Sequence, residues 1–312
     1  LRNCTSARAE HIAKSLSSFS SQARLAYEEI FDDVDVLNNI VHKEPIFLYE
    51  SKKLFEQNQY AFNLRKKNDV QFVVFNKEDI AKIEPGLEPI YYNGVVLKGE
   101  SFTNSPLEIT QKIFNNFIKN DGHFIKIKIK SIVQKDNSLF LKYEKKEQQF
   151  DKIVVAAGVW SNMLARTIGD NFPLDTERGY HIVFENNNNL LTHPVGWAKT
   201  GFYMTPMKDG IRVAGTVEIA GLKKPMNKNM LSMIEKTARM ILPQLGKVKS
   251  EWMGFRPTLP DSLPVIGESK KCKNVYYAFG HQHLGLSLAA ITGKVIQSLI
   301  EKKNTDINID AL

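Results

Sequence analysis

Two stretches of this chain run from a short apolar strand through glycine into a helix, and this pattern most limits what the chain can fold into. The first is Lys152 to Ala157, with Ile153, Val154 and Val155 at its centre, followed by Gly158 and a helix from Ser161. The second is Val275 to Phe279, followed by the loop Gly280 to Gly285 and a helix from Leu286 to Glu301. Short continuous apolar runs read as buried strands, and strands alternating with helices build α/β units. Between the two lies a stretch that is mostly strand: Tyr180 to Glu185, Gly201 to Thr205, Ile211 to Val217 and Val248 to Arg256, with one helix, Lys228 to Leu242. The expectation is an α/β (α+β) fold in which a mostly antiparallel sheet is inserted into an α/β unit. By residue number, 1–35 is helical, helix and strand alternate around 105–168 and 253–303, and 169–252 is mostly strand.

The remaining elements follow from periodicity and punctuation. Apolar residues every three or four positions predict one helix from Ala7 to Val34, and a polar helix covers Ser51 to Lys67. Strands are expected at Ile46 to Tyr49 and Val70 to Phe75, and a helix at Lys77 to Ile83. Ile90 to Leu97 reads as a strand with a turn near Asn93-Gly94. Ser105-Pro106 starts a helix that runs to about Ile118. Phe124 to Val133 alternates apolar residues with lysine and predicts a half-exposed strand paired with Ser138 to Tyr143. Asp209-Gly210 is the expected turn of a hairpin, and Asn186 to Asn189 a short polar turn.

Composition narrows the function. The 312 residues are 43% hydrophobic and 24% charged, an ordinary globular mix with ample core. The formal charge is +8, but the lysines are scattered over strand faces and loop tips rather than gathered on one face with aromatics, so no nucleic-acid partner is expected. Weak attraction to anionic lipid or to an acidic partner fits this charge better. No apolar run approaches the length of a membrane span. The two cysteines, Cys4 and Cys272, are far apart and form no metal or redox motif, which points to a reducing compartment.

Four motifs have chemical potential. In Val154 to Ser161, a strand ends in small residues that let a ligand approach the backbone at a helix start, although any tight α/β turn looks the same. In Trp252-Met253-Gly254-Phe255-Arg256-Pro257-Thr258, an arginine at a strand end presents a rigid fork for a carboxylate, although a surface arginine beside a structural loop is the plainer reading. In Phe279 to Leu286, a glycine-flanked loop offers backbone donors before a helix; its His281 and His283 are too few ligands for a metal site, so none is expected. The hairpin around Tyr203, with Tyr180 before it, is the fourth, and both tyrosines are as readily packing residues as pocket residues.

Taken together and in this order, these motifs resemble the D-amino-acid oxidase and dehydrogenase family of FAD-dependent amine oxidoreductases, nearest to its D-amino-acid dehydrogenase branch. The most specific parts are Val155-Ala156-Ala157-Gly158-Val159-Trp160-Ser161, Gly254-Phe255-Arg256-Pro257-Thr258 with Pro260-Asp261-Ser262-Leu263-Pro264-Val265-Ile266-Gly267, and the Gly280 to Gly285 loop. Arg178-Gly179-Tyr180-His181 and Gly215-Thr216-Val217-Glu218 fit the family's substrate domain. The resemblance implies a Rossmann-like FAD-binding domain formed by 102–168 and 253–312, with 36–101 and 169–252 as the substrate domain. It implies FAD as cofactor, held by Val133, Ala157, Gly158, Trp160, Gly280, His281, Gln282, His283, Leu284 and Gly285. It implies Arg256, Tyr180 and Tyr203 against the substrate, and Arg256, Tyr203 and His283 in catalysis. The reaction expected is hydride transfer from Cα of a D-amino acid or cyclic imino acid to flavin N5, and hydrolysis of the imine to a 2-oxo acid. The electrons then pass to a quinone- or dye-type acceptor, at a cytoplasmic location peripheral to the inner face of a membrane. The rival enzyme expectation is a glycine- or sarcosine-type oxidase that forms peroxide. The G-x-G-x-x-G turn that opens the family is missing from these residues. The expectation is therefore an N-terminally truncated Rossmann-like domain lacking its first βαβ unit, with exposed sheet edges. It leaves room for a partner chain, or for a cofactor-less subunit or remnant that only binds a partner.

Overall fold

In the computed structural model of the chain, the described residues are 3, 5–31, 35–185, 189–305, 307 and 309. Cys4, Val34 and most of the expected turn at 186–189 lie outside them. The fold is the mixed α/β architecture expected. The chain divides into two compact units, one formed by Leu1–Asp35, Phe114–Glu177 and Phe255–Leu312, the other by Val36–Ile113 and Arg178–Gly254.

The second unit is built on an eight-stranded sheet. Its order is Val248–Thr258, Asp175–Phe184, Gly210–Glu218, Phe202–Met207, Val195–Trp197, Ile46–Tyr49, Asn93–Leu97 and Phe72–Phe75; its first two strands also run into the first unit. Val195–Trp197 pairs in parallel with Ile46–Tyr49, and the neighbouring pairings on either side are antiparallel. Helix Lys228–Ile241 packs its Leu231, Ile234, Ala238 and Ile241 into the same core as Ile182, Phe184, Met204, Ile211 and Val213. Buried aliphatic and aromatic side chains of this kind supply the main drive for folding. At one point the sheet is irregular: the register between Asp175–Phe184 and Gly210–Glu218 shifts between Tyr180 and His181. Gly215 sits at that shift with φ of 136°, and a Cβ there would lie 2.4 Å from the Phe202 Cα, so the site demands glycine.

The first unit contains a small sheet, Val265–Glu268, Val275–Phe279 and Ile153–Val155, with the last two strands parallel. A meander of Ser131–Lys135, Ser138–Tyr143 and Lys146–Phe150 packs beside it, with Ile132 and Leu139 meeting Ile153, Val155, Val275, Tyr277 and Phe279 in one core. Helix Ala289–Ile300 buries Ala290, Ile291, Val295 and Ile296. The N-terminal helices join this unit through the Tyr27 hydroxyl, which donates to the Leu286 carbonyl at 2.5 Å, and through the Lys294–Glu29 ion pair.

Several local expectations are corrected. The single helix from Ala7 is two helices, Ser6–Ser20 and Ala23–Phe31. The Ser18, Ser20 and Ser21 hydroxyls bond to carbonyls three residues back, the local competition that loosens a helix. The helix at Ser51 to Lys67 is likewise broken, into Lys52–Gln57 and Gln59–Lys67, at Asn58, whose side-chain amide donates to the Leu54 carbonyl. Asn93-Gly94 is not a turn but part of strand Asn93–Leu97, where Gly94 leaves room for Ile80 and Ile46. Residues 122–130 form no strand; the pairing of Ser138–Tyr143 extends only to Ser131, so Phe124, Ile125 and Ile127 stay exposed, with Phe124 edge-on to Phe114. Val154 is exposed rather than buried, because side chains alternate along the strand and the core takes Ile153 and Val155 from the other face. The hairpin turn is centred on Lys208-Asp209, one residue early, with Gly210 already paired to Met207. The last helix begins at Ala289, not Leu286, because residues 285–288 are still turns. No described helix is long and apolar enough to cross a membrane.

Candidate active site

Arg256 lies near the end of strand Val248–Thr258, followed by Pro257, which removes an amide donor and stiffens the backbone. The loop after strand Val275–Phe279 folds back onto this strand end. The Gln282 backbone amide donates to the Pro257 carbonyl, and the Gln282 side chain to the Leu259 carbonyl, both at 3.2 Å. Two left-handed residues, Gly280 (φ 86°) and Gln282 (φ 49°), make that reversal possible. His283 is thereby placed near Glu177, its Nε2 being 3.6 Å from Glu177 Oε2. Glu177 belongs to strand Asp175–Phe184, the neighbour of the arginine's strand in the sheet.

Electrostatics link these three side chains. Arg256 is half-buried; burial pushes its pKa down, and the Glu177 carboxylate opposes that shift. Burial and the Arg256 charge push His283 below its ordinary value, again against Glu177. His281 is separate: its Nε2 lies 3.0 Å from Thr292 Oγ1 on the last helix, and burial pushes its pKa down to about 4, so it is neutral near pH 7. The alternation of His281 and His283 thus sends the two rings to different partners. No group of three or more His, Cys, Asp or Glu among the described residues could hold a metal.

The other glycine turn in the first unit follows strand Ile153–Val155. Gly158 adopts φ of 55°, and no atom lies within 4 Å of where a Cβ would sit. Val154 and Trp160 are exposed, Trp160 edge-on to Phe255 at 6.1 Å, while Ala157 is half-buried. Leu284 and Gly285 of the second loop are also exposed, and the Gly285 Cβ direction is open apart from the His281 Cβ at 3.8 Å. Val133 is half-buried in the meander, opposite Phe140.

Tyr180 and Tyr203 belong to the second unit. Tyr180 is fully buried; its hydroxyl donates to Glu218 Oε2 at 2.5 Å and accepts from the Asn227 amide at 3.2 Å. Tyr203 packs edge-on against Phe47 at 5.2 Å, and burial pushes its phenol up to about 12. The residue missed by sequence reasoning is Glu177. Its only local signal is its place before Arg178-Gly179-Tyr180-His181; its nearness to Arg256 and His283 depends on strand pairing across about eighty residues.

The FAD dependent oxidoreductase family DAO matches residues 4–299. A D-amino-acid oxidase of Bradyrhizobium diazoefficiens is 30% identical over 314 residues, covering 98% of this chain and 74% of that protein. A D-amino acid dehydrogenase of the same organism is 22% identical, covering 100% of this chain and 76% of that protein. Among solved structures, glycine oxidase from Geobacillus kaustophilus superposes with a TM-score of 0.86 at 17% identity, over 94% of this chain and 81% of that one. L-proline dehydrogenase from P. horikoshii gives 0.81 at 16% identity, over 93% and 80%. These two structural likenesses concern the fold. The family match over nearly the whole chain, with the 30% identical D-amino-acid oxidase beside it, establishes that this chain belongs to the DAO family of FAD-dependent oxidoreductases.

Proposed function

We propose that this chain oxidises the Cα–N bond of a D-amino acid or a cyclic imino acid, giving an imine that water hydrolyses to a 2-oxo acid, with the electrons passed to a quinone- or dye-type acceptor. The observation that carries this reading is Arg256, a half-buried guanidinium stiffened by Pro257 and tied through Gln282 to the Gly280–Gly285 loop. A guanidinium taken partly out of water binds a carboxylate through two parallel hydrogen bonds and fixes its orientation. Such a clamp orients Cα, which is where positioning lowers the barrier.

The residues present suit the cofactor. The open space above Gly158, the exposed Val154 and Trp160 beside it, and the exposed turn at Leu284-Gly285 offer apolar surface and close approach to backbone. Ala157, Gly158, Trp160 and residues 280–285 would hold FAD, and Val133 its adenine end. FAD held there would supply the two-electron oxidation of the Cα–N bond. The chain's own part is to hold the carboxylate at Arg256, to keep His283 beside it as a mostly neutral imidazole able to accept a proton, and to hold the loop in place through Gln282.

A second reading, with oxygen as the acceptor and peroxide as product, is favoured by the 30% identity to a protein named D-amino-acid oxidase. The test is a panel of D-amino acids and cyclic imino acids given to the flavin-loaded protein, with a dye acceptor in one arm and an oxygen electrode in the other. Dye reduction without oxygen uptake supports the first reading, and oxygen uptake without dye the second. A loaded protein that reduces neither acceptor with any member of the panel sinks both.

A further inference from the structure

We infer that Glu177 receives the substrate's amino group while Arg256 receives its carboxylate, so that the pair selects α-amino acids over acids that lack the amine. This rests on the reading of Arg256 given above. The two residues stand on neighbouring strands of one sheet, so their side chains are offered from adjacent backbones rather than from flexible loops. Glu177 is half-buried, and its contact with His283 is 3.6 Å, beyond hydrogen-bond length. The contact is therefore a long one, weaker than the short charge-assisted bond that an ammonium would make to the same carboxylate.

The charge pattern matches an amino acid. Burial and Arg256 push His283 toward its neutral form, so near neutral pH it leaves the charges as one cation, Arg256, and one anion, Glu177. An amino acid at that pH is a zwitterion, with the opposite charges one carbon apart. A monocarboxylate without the amine gains the guanidinium but meets the Glu177 charge unpaired, and a partly desolvated carboxylate left without a partner is unfavourable.

The experiment compares two probes of the same carbon skeleton, 2-aminoisobutyrate and isobutyrate. Neither is consumed: the first has no hydrogen on Cα and the second no amine. Their affinities for the flavin-loaded protein are measured by calorimetry in wild type, Glu177→Gln, Glu177→Asp and Arg256→Ala. Wild type is expected to prefer 2-aminoisobutyrate. Glu177→Gln is expected to cut that preference about tenfold, with isobutyrate bound as well as or better than before, as loss of a charge-assisted contact requires. Glu177→Asp, which keeps the charge, is expected to retain most of the preference. If Glu177→Gln weakens both probes equally, or neither, or if Glu177→Asp loses the preference as fully, the inference is overturned while the arginine clamp stands. If Arg256→Ala leaves both affinities unchanged, the clamp fails and the inference falls with it.

Discussion

The Arg178 guanidinium, with no exposed surface, lies 3.3 Å from the Glu218 carboxylate across two paired strands, and it also donates to the carbonyls of Lys224 and Pro225. Glu218 accepts from Tyr180 and from the Asn227 side chain as well, so one carboxylate ties the strand pair to the segment that follows it. A buried pair of this kind is weak evidence of net stability, but breaking it leaves an uncompensated charge. Glu218→Gln should therefore cost about 3–5 kcal/mol in chemical denaturation. Tyr180→Phe, which removes one neutral donor, should cost about 1–3 kcal/mol. Equal effects of the two variants would show that the charge on Glu218 carries no special weight.

Arg256→Ala in the flavin-loaded protein should lower kcat/KM by about a thousandfold, the scale of a lost bidentate carboxylate contact. The flavin absorbance should be retained. Arg256→Lys should recover only part of the loss, because an ammonium does not reproduce the planar fork. Steady-state kinetics with the best substrate of the panel checks this, and unchanged kinetics would remove Arg256 from the site.

Gly215→Ala should destabilise the second unit by about 3 kcal/mol or more, because a left-handed backbone and a closed space are both violated. The Cβ would meet the Phe202 Cα at 2.4 Å, which is backbone and cannot rotate away. Gly158→Ala is the control: its φ of 55° is strained, but nothing lies within 4 Å, so it should cost no more than about 1–2 kcal/mol. Urea unfolding of both variants decides, and a Gly215→Ala protein as stable as Gly158→Ala would refute the account of the irregular register.

Burial pushes both His181 and His281 down to about 4 from an ordinary 6.5, with the Arg212 charge adding to the shift at His181. A base whose folded pKa is depressed is protonated first in the unfolded chain. Between pH 6.5 and about 4 the unfolded state therefore binds more protons, and stability falls as pH falls through that window. The contribution is fully present above 6.5. The drop in Tm from pH 7 to 4.5 should be smaller in His281→Gln than in wild type. An identical drop would mean that His281 is not the neutral, Thr292-bonded ring described above.

Much of this was legible in local sequence. Helix Lys77–Ile83 is framed by an Asn76 cap and by Pro85, and strand Val275–Phe279 by its apolar run and Gly280, so their bounds followed from nearest neighbours. Where the local signal misled, a long-range contact decided. Asn93-Gly94 has the chemistry of a turn, yet Tyr49, Leu48 and Phe75 pair with it as strand. Residues 124–129 have the alternation of a strand but pair with no strand among the described residues, and only the Lys130 amide reaches the hairpin, at the Lys142 carbonyl; alternation without a partner does not make a ladder.

The candidate site divides the same way. The sequence by itself determined the residue types and their order: an arginine before proline at a strand end, two strand–glycine turns, and a histidine pair in the second loop, enough to place the chain in its family. Only the tertiary structure decided which of these meet. It sent His281 to Thr292 and His283 toward Glu177, buried Tyr180 against Glu218, and brought Glu177 into the field of Arg256. The physical reason is that helix and strand signals act over a few residues, whereas a charged pair depends on strand register across the whole sheet.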